Sequence, residues 1–127
     1  MSHLLDTHTF LWGQAEDPRL GSVAAALMVD PSAPVYLSVA SAWEMSIKAA
    51  RGRLDVPDGL ASVVEEAGFD VLGIDLRHTA EAQRLPMHHR DPFDRMLVAQ
   101  ARIERLTLIT ADPAMAAYEV DLLDARR

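Results

Sequence analysis

The sequence predicts an α/β fold: a single domain over residues 1–127, built as a three-layer α/β/α sandwich with a mostly parallel central sheet. Short apolar runs alternate with segments of helical periodicity, the pattern of strands buried in a parallel sheet beneath crossover helices. A length of 127 residues suits one core, and with 50% of them hydrophobic that core fills without disulfide or metal staples. No repeat, low-complexity tract or long linker divides the chain.

His3 leads into Leu4-Leu5-Asp6, a first buried strand with an acid at its carboxyl end. Thr7-His8-Thr9 then opens a helix carrying Phe10, Leu11 and Trp12. Asp17-Pro18 and Gly21 punctuate, and an alanine-rich helix runs from Ser22 to Met28. Asp30-Pro31-Ser32-Ala33-Pro34 is a turn, and Val35 to Ser38 forms the second strand. Ser41-Ala42-Trp43-Glu44 opens the next helix, which stops at Gly52. Arg53 to Gly59 is a connection, Leu60 to Ala67 a short helix, and Val71 to Ile74 a third strand. A helix over Arg77 to Leu85 is stopped by Pro86, and a polar loop follows from Met87 to Arg90.

The next helix organises the rest of the chain. Proline is favoured at the first helical position, so Asp91-Pro92 makes Asp91 the N-cap and puts Asp94 in the first turn. Phe93, Met96, Leu97 and Ala101 share an apolar face, while Arg95, Arg102 and Arg105 fall elsewhere. Gln100 sits within the apolar stripe and needs a buried partner there, or it marks a break in the packing. Thr107 to Thr110 is the fourth strand, with Asp112-Pro113 beyond its end. Val120 to Leu123 is a candidate for a last edge strand.

Composition excludes several classes of function. Without cysteine there is no disulfide scaffold, thiolate zinc site or cysteine nucleophile. No apolar run spans a membrane and the N-terminus lacks the layout of a secretory signal, so a cytoplasmic protein with no membrane partner is expected. A net charge of −7 argues against nucleic-acid binding by phosphate neutralisation alone. It leaves open a metal-dependent phosphate site, since clustered carboxylates contribute to that sum.

Ligands of such sheets bind beyond the carboxyl ends of the strands. Asp6, Glu44 and Asp112 belong at that edge. The helix from Pro92 runs back against the strands, so Asp91 and Asp94 start there too. Each acid has a structural explanation of its own. Ser41-x-x-Glu44 fits a capping box, Asp112-Pro113 fits an N-cap, and Asp6 could bond the turn that follows it. Capping, however, requires no convergence. Like charges about 5 Å apart repel by roughly 3 kcal/mol at an effective dielectric near 20, so such a cluster takes up protons or a cation. Oxygen ligands without cysteine favour Mg2+ or Mn2+, and a bound ion of this kind activates water for in-line attack on a phosphodiester.

Leu4 to Trp12, Ser41-Ala42-Trp43-Glu44, the segment from His89 to Ala101 and Thr110-Ala111-Asp112 together resemble a PIN-domain ribonuclease, and more narrowly a VapC-type toxin of a type II toxin–antitoxin system. The match runs in order over nearly the whole chain. The resemblance implies a PIN-like fold and a metal-dependent endoribonuclease toxin that cleaves structured RNA, at tRNA or rRNA loops. It implies Asp6, Asp94 and Asp112 as ligands of Mg2+ or Mn2+, Glu44 as the acid positioning water, and Asp91 as an auxiliary acid at the rim. Thr110 would bond a carboxylate or a water. A small cognate antitoxin protein and a homodimer are the implied partners.

Lys48, Arg51, Arg53, Arg90 and Arg95 are candidates for RNA phosphate contacts. His88 and His89 read as solvated loop residues and His8 as structural. Trp12, Trp43 and Phe93 read as packing, with base stacking reserved for any that is exposed. Two other readings stand beside the nuclease. One is a phosphatase-type enzyme using Asp6 as nucleophile, against which His8 occupies the place of a second acid. The other is a catalytically inert binding domain whose acidic pocket accepts a partner arginine.

Overall fold

The computed structural model describes residues 1–127. In chain order the elements are β1 (His3–Leu5), α1 (Thr7–Gln14), α2 (Ser22–Val29), β2 (Val35–Ser38), α3 (Val39–Ala50), α4 (Leu60–Glu66), β3 (Asp70–Leu72), α5 (Leu76–Arg84), α6 (Pro92–Glu104), β4 (Thr107–Thr110) and β5 (Leu122–Asp124), with a 3-10 turn over Pro113–Ala117 before β5. The five strands are parallel throughout, in the order β3-β2-β1-β4-β5. No helix is long and apolar enough to cross a membrane.

Alternating strand side chains build two cores, one on each face of the sheet. Leu5, Leu37 and Ile109 pack with Phe10 of α1, Met28 of α2 and Val64 of α4. Leu4 and Leu108 pack with Leu97, Val98 and Ala101 of α6. These are the three layers. The chain builds outward from β1 to β2 and β3, then returns to add β4 and β5 on the other side. Strand order therefore reverses between β1 and β4, the place at whose carboxyl ends sheets of this kind bind ligands.

Several boundaries differ from the sequence expectation. The third helix begins at Val39, and its cap is Ser38, whose hydroxyl accepts the Ala40 N–H over 3.0 Å. Ser41 lies inside the first turn with a buried, unpartnered hydroxyl, so the capping box with Glu44 does not form. Strand β2 passes straight into α3 and leaves no residue between them to serve as a later cap. Strand β3 starts one residue early at Asp70 and ends at Leu72, because Asp75 is needed to cap α5. Gln100 has its buried partners: the Ser38 hydroxyl donates to its Oε1 and its Nε2 donates to the Gly73 carbonyl. Trp43 is not core. It is 62% exposed and meets the half-buried Phe93 edge to face, with ring centroids 5.7 Å apart.

Candidate active site

Asp6 is the first residue beyond β1 and the N-cap of α1. Its Oδ1 accepts the Thr9 N–H at 2.8 Å and its Oδ2 accepts the Thr110 hydroxyl at 2.5 Å. Asp6 is buried, and two donors offset the cost of desolvating its charge. Thr110, the last residue of β4, also accepts the Asp112 N–H at 3.1 Å. One hydroxyl thus joins the acids that end adjacent strands.

Glu44 lies in the second turn of α3 and is buried. Its Oε1 accepts the Thr7 hydroxyl at 2.5 Å, and Lys48, one turn on, reaches its Oε2 at 2.7 Å. Lys48 is held above its ordinary value first by this bond to Glu44, with Asp91 and Asp94 adding to it. The lysine therefore senses the acids of α6 as well as the one on its own helix.

Asp91 caps α6 through the Phe93 and Asp94 N–H groups. That leaves Asp94 a turn-one carboxylate without a backbone cap of its own. Its carboxyl is pushed up to about 7, first by burial and then by Asp91, with Asp6 and Glu44 adding to the rise while His89 opposes it. Asp91 belongs to the same helix end, whereas Asp6 and Glu44 come from two other elements and reach Asp94 because the fold brings them to one place. Asp112, just past β4, caps the 3-10 turn through Ala114 at 2.9 Å. Burial pushes its carboxyl up, but the Ala114 N–H and His89 outweigh that and hold it below the ordinary value. The five acids therefore sit at one edge of the sheet.

His89 joins them, contrary to the expectation of a solvated loop residue. Its Nε2 bonds Asp112 Oδ2 at 3.0 Å and lies 3.1 Å from Asp94 Oδ2. Its Nδ1 accepts the Asp91 N–H at 3.1 Å, and its own N–H donates to the Tyr118 hydroxyl at 2.9 Å. A backbone N–H can only donate, so Nδ1 carries the lone pair and the ring proton sits on Nε2, facing the carboxylates. The sequence signal was weak, because Asp112 lies 23 positions away. Thr7, which directly follows Asp6, was also missed as the support of Glu44, whereas the Thr9 N–H bond is the turn contact expected for Asp6.

The basic candidates divide. Lys48 is part of the cluster, while Arg51, Arg53 and Arg90 are exposed. Arg53 lines a groove beside α1 together with the exposed His8. Arg95 is a correction to the list of phosphate contacts. Its guanidinium donates to the carbonyls of Pro86, Ala82 and Leu85 and to the Tyr118 hydroxyl, so it closes the end of α5 instead. His88 is exposed and stacks edge-on against Tyr118.

The donor set suits a hard divalent cation. Asp94 and Asp112 bring carboxylate oxygens within 4.8 Å of each other and of His89 Nε2, whose proton keeps it from ligating. No lysine or arginine pairs with Asp94 or Asp112; each has only His89 within ion-pair distance. Burial first, and then the negative charge of its neighbours, raise Asp94, and such an ion would offset that charge.

A family model described as the PIN domain matches residues 3–121. Three solved structures share the fold. The first, described as FitAB bound to the IR36 DNA fragment, is 22% identical with a TM-score of 0.70, covering 100% of this chain and 96% of that one. VapBC2 from Rickettsia felis, bound to a DNA fragment from its promoter, is 12% identical with a TM-score of 0.72, covering 97% and 98%. A toxin–antitoxin complex from Klebsiella pneumoniae is 16% identical with a TM-score of 0.67, covering 97% of each chain. No curated protein sequence matches the chain.

Proposed function

Because this chain belongs to the PIN domain family, we propose that it is a Mg2+- or Mn2+-dependent endoribonuclease and the toxin of a toxin–antitoxin pair. The observation that carries this reading is the meeting of acids from distant parts of the chain: Asp94 and Asp112 both approach His89 Nε2, at 3.1 and 3.0 Å, and the Thr110 hydroxyl joins Asp112 to Asp6. Capping alone accounts for each acid separately and gives no reason for them to meet.

Asp6, Asp94 and Asp112 would hold the ion, and Asp91 would complete the negative rim. A bound ion supplies Lewis acidity beside the attacking water and the scissile phosphate. Glu44, anchored by Thr7 and Lys48, orients that water by hydrogen bonding. Thr110 fixes the carboxylate plane of Asp6. Lys48, Arg51 and Arg90 are the phosphate contacts, at positions that would let an RNA strand run from α3 across to the start of α6. The substrate is structured RNA, a tRNA or rRNA loop whose unstacked backbone reaches the acidic cluster, and hydrolysis leaves a 5′-phosphate and a 3′-hydroxyl.

Neutralisation by a small antitoxin is part of the same reading. One structural neighbour is described as a toxin–antitoxin complex, and a cluster of carboxylates without arginine partners is a natural seat for a partner's arginine. That same cluster keeps the inert binding domain as the second reading. The phosphatase reading is weaker, because His8 stands two residues after Asp6, where that chemistry wants a second acid.

The test is cleavage of folded tRNA and rRNA fragments by the purified protein with Mg2+, Mn2+ or a chelator, beside Asp6→Asn and Asp94→Asn. Metal-dependent cuts that both substitutions abolish are expected. A wild type as inert as both variants, with antitoxin binding intact, would overturn the nuclease and leave the binding domain. Sedimentation of the free protein tests the homodimer.

A further inference from the structure

Resting on the metal-dependent reading above, we propose that His89 is a positioning residue of the metal centre. From outside the ligand set, its Nε2–H holds Asp112 toward Asp94. The two acids arrive on separate segments, Asp94 in the first turn of α6 and Asp112 in the loop leaving β4. Neither segment is tied to the other by sheet hydrogen bonds. His89 fastens them at three points: its N–H to the Tyr118 hydroxyl beyond the 3-10 turn, its Nδ1 to the Asp91 N–H, and its Nε2 to Asp112.

The fixed tautomer decides what kind of partner His89 is. With Nδ1 taken by the Asp91 N–H, the atom facing the acids bears a proton and cannot present a lone pair to a cation. It remains a hydrogen-bond donor, and ligating carboxylates are commonly oriented by donors of this kind. A second trio elsewhere in the molecule makes the contrast. Asp75, His78 and Glu104 also bring their ligand atoms together, but there Arg77 bonds both carboxylates, at 2.8 and 2.9 Å, and supplies the positive charge itself. At His89 no such residue intervenes, so the place for a cation stays open beside the imidazole.

The experiment measures Mn2+ binding by calorimetry to the full chain as wild type, His89→Leu and His89→Gln, with metal-free melting of each to verify folding. Loss of the donor should weaken Mn2+ affinity by about 10- to 100-fold in His89→Leu. His89→Gln retains an N–H donor and should recover most of that loss. Pulsed electron paramagnetic resonance of the Mn2+-loaded wild type should show no directly coordinated imidazole nitrogen, and this reading needs no variant to fold. Unchanged affinity in His89→Leu would reduce the residue to a structural clasp. Tighter binding would make it a competitor for the cation's place, and a coordinated nitrogen would make it a ligand; each of these overturns the proposal while leaving the nuclease reading standing. A wild type that binds no Mn2+ removes both.

Discussion

The Thr110 hydroxyl donates to Asp6 Oδ2 over 2.5 Å, although the two residues stand 104 positions apart in sequence. The contact follows from the parallel pairing of β1 with β4, which places Leu5 beside Ile109 and so carries the next residues of both strands to the same edge. Thr110 also receives the Asp112 N–H. One side chain thereby sets two of the acids. Replacing it by valine keeps the shape and removes the donor, which should cost about 1.5–3 kcal/mol because the acceptor is charged and buried. Thr110→Ser should lose much less. Urea denaturation of both variants reads the difference, and a valine variant as stable as wild type would show that this bond does not hold Asp6.

Asp94 predicts the pH dependence of stability. Its folded-state carboxyl is pushed up to about 7, above the unfolded value near 3.9. Between those values the folded protein keeps a proton that the unfolded chain has released, so stability falls as pH rises through this window. About three pH units correspond to roughly 4 kcal/mol at most. In Asp94→Asn that slope should flatten, and the metal-free variant should melt several degrees above wild type at pH 8. Mn2+ should then raise the melting temperature of the wild type but not of the variant. Parallel melting profiles for the two proteins from pH 4 to 8 would remove the argument.

Most of the frame was legible because local signals and tertiary structure agree. Asp91-Pro92 marks the start of α6, Asp6 ends an apolar run, and β2 is bounded by prolines on one side. Where two local signals competed, the choice was decided by chain path: Ser41 has a glutamate three residues on, yet Ser38 caps because β2 leads directly into α3. Helical periodicity finds an apolar stripe but not which apolar residue faces out. Val39, Trp43 and Ser46 form the exposed line of α3, while Ala40, Glu44 and Met45 are buried. His89 was illegible for a different reason. Its carboxylate partner Asp112 and its hydroxyl partner Tyr118 both come from beyond β4, and no spacing in the sequence reports that approach.

The two tryptophans should respond unequally to truncation. Trp12 is 8% exposed and packs in the core, with the Arg19 guanidinium 4.8 Å from the ring centre. Trp12→Ala should cost about 3–5 kcal/mol. Trp43 gives up chiefly its edge contact with Phe93, worth about 0.5–1.5 kcal/mol. Urea midpoints for the two alanine variants check the ranking. Equal losses would mean that Trp43 is covered in the folded protein in solution.

Arginines near the acidic edge separate into those free to meet RNA and one that is not. Arg95 directs its guanidinium at three backbone carbonyls around the end of α5, and losing it leaves those acceptors short of a donor. Arg95→Ala should therefore cost about 1.5–3 kcal/mol of stability, while the salt dependence of RNA binding by the folded fraction stays as in wild type. Arg51 and Arg90 are exposed. Their alanine variants should hold stability to within about 0.5 kcal/mol. Each should weaken binding of a non-cleaved RNA and lower the slope of log affinity against log salt by about 0.7, the value for one single-strand phosphate contact. Titrations of a labelled RNA at three salt concentrations, beside melting curves, test both halves. A reduced slope in Arg95→Ala with wild-type stability would reverse the assignment, because the guanidinium would then be engaged by phosphate rather than by the carbonyls.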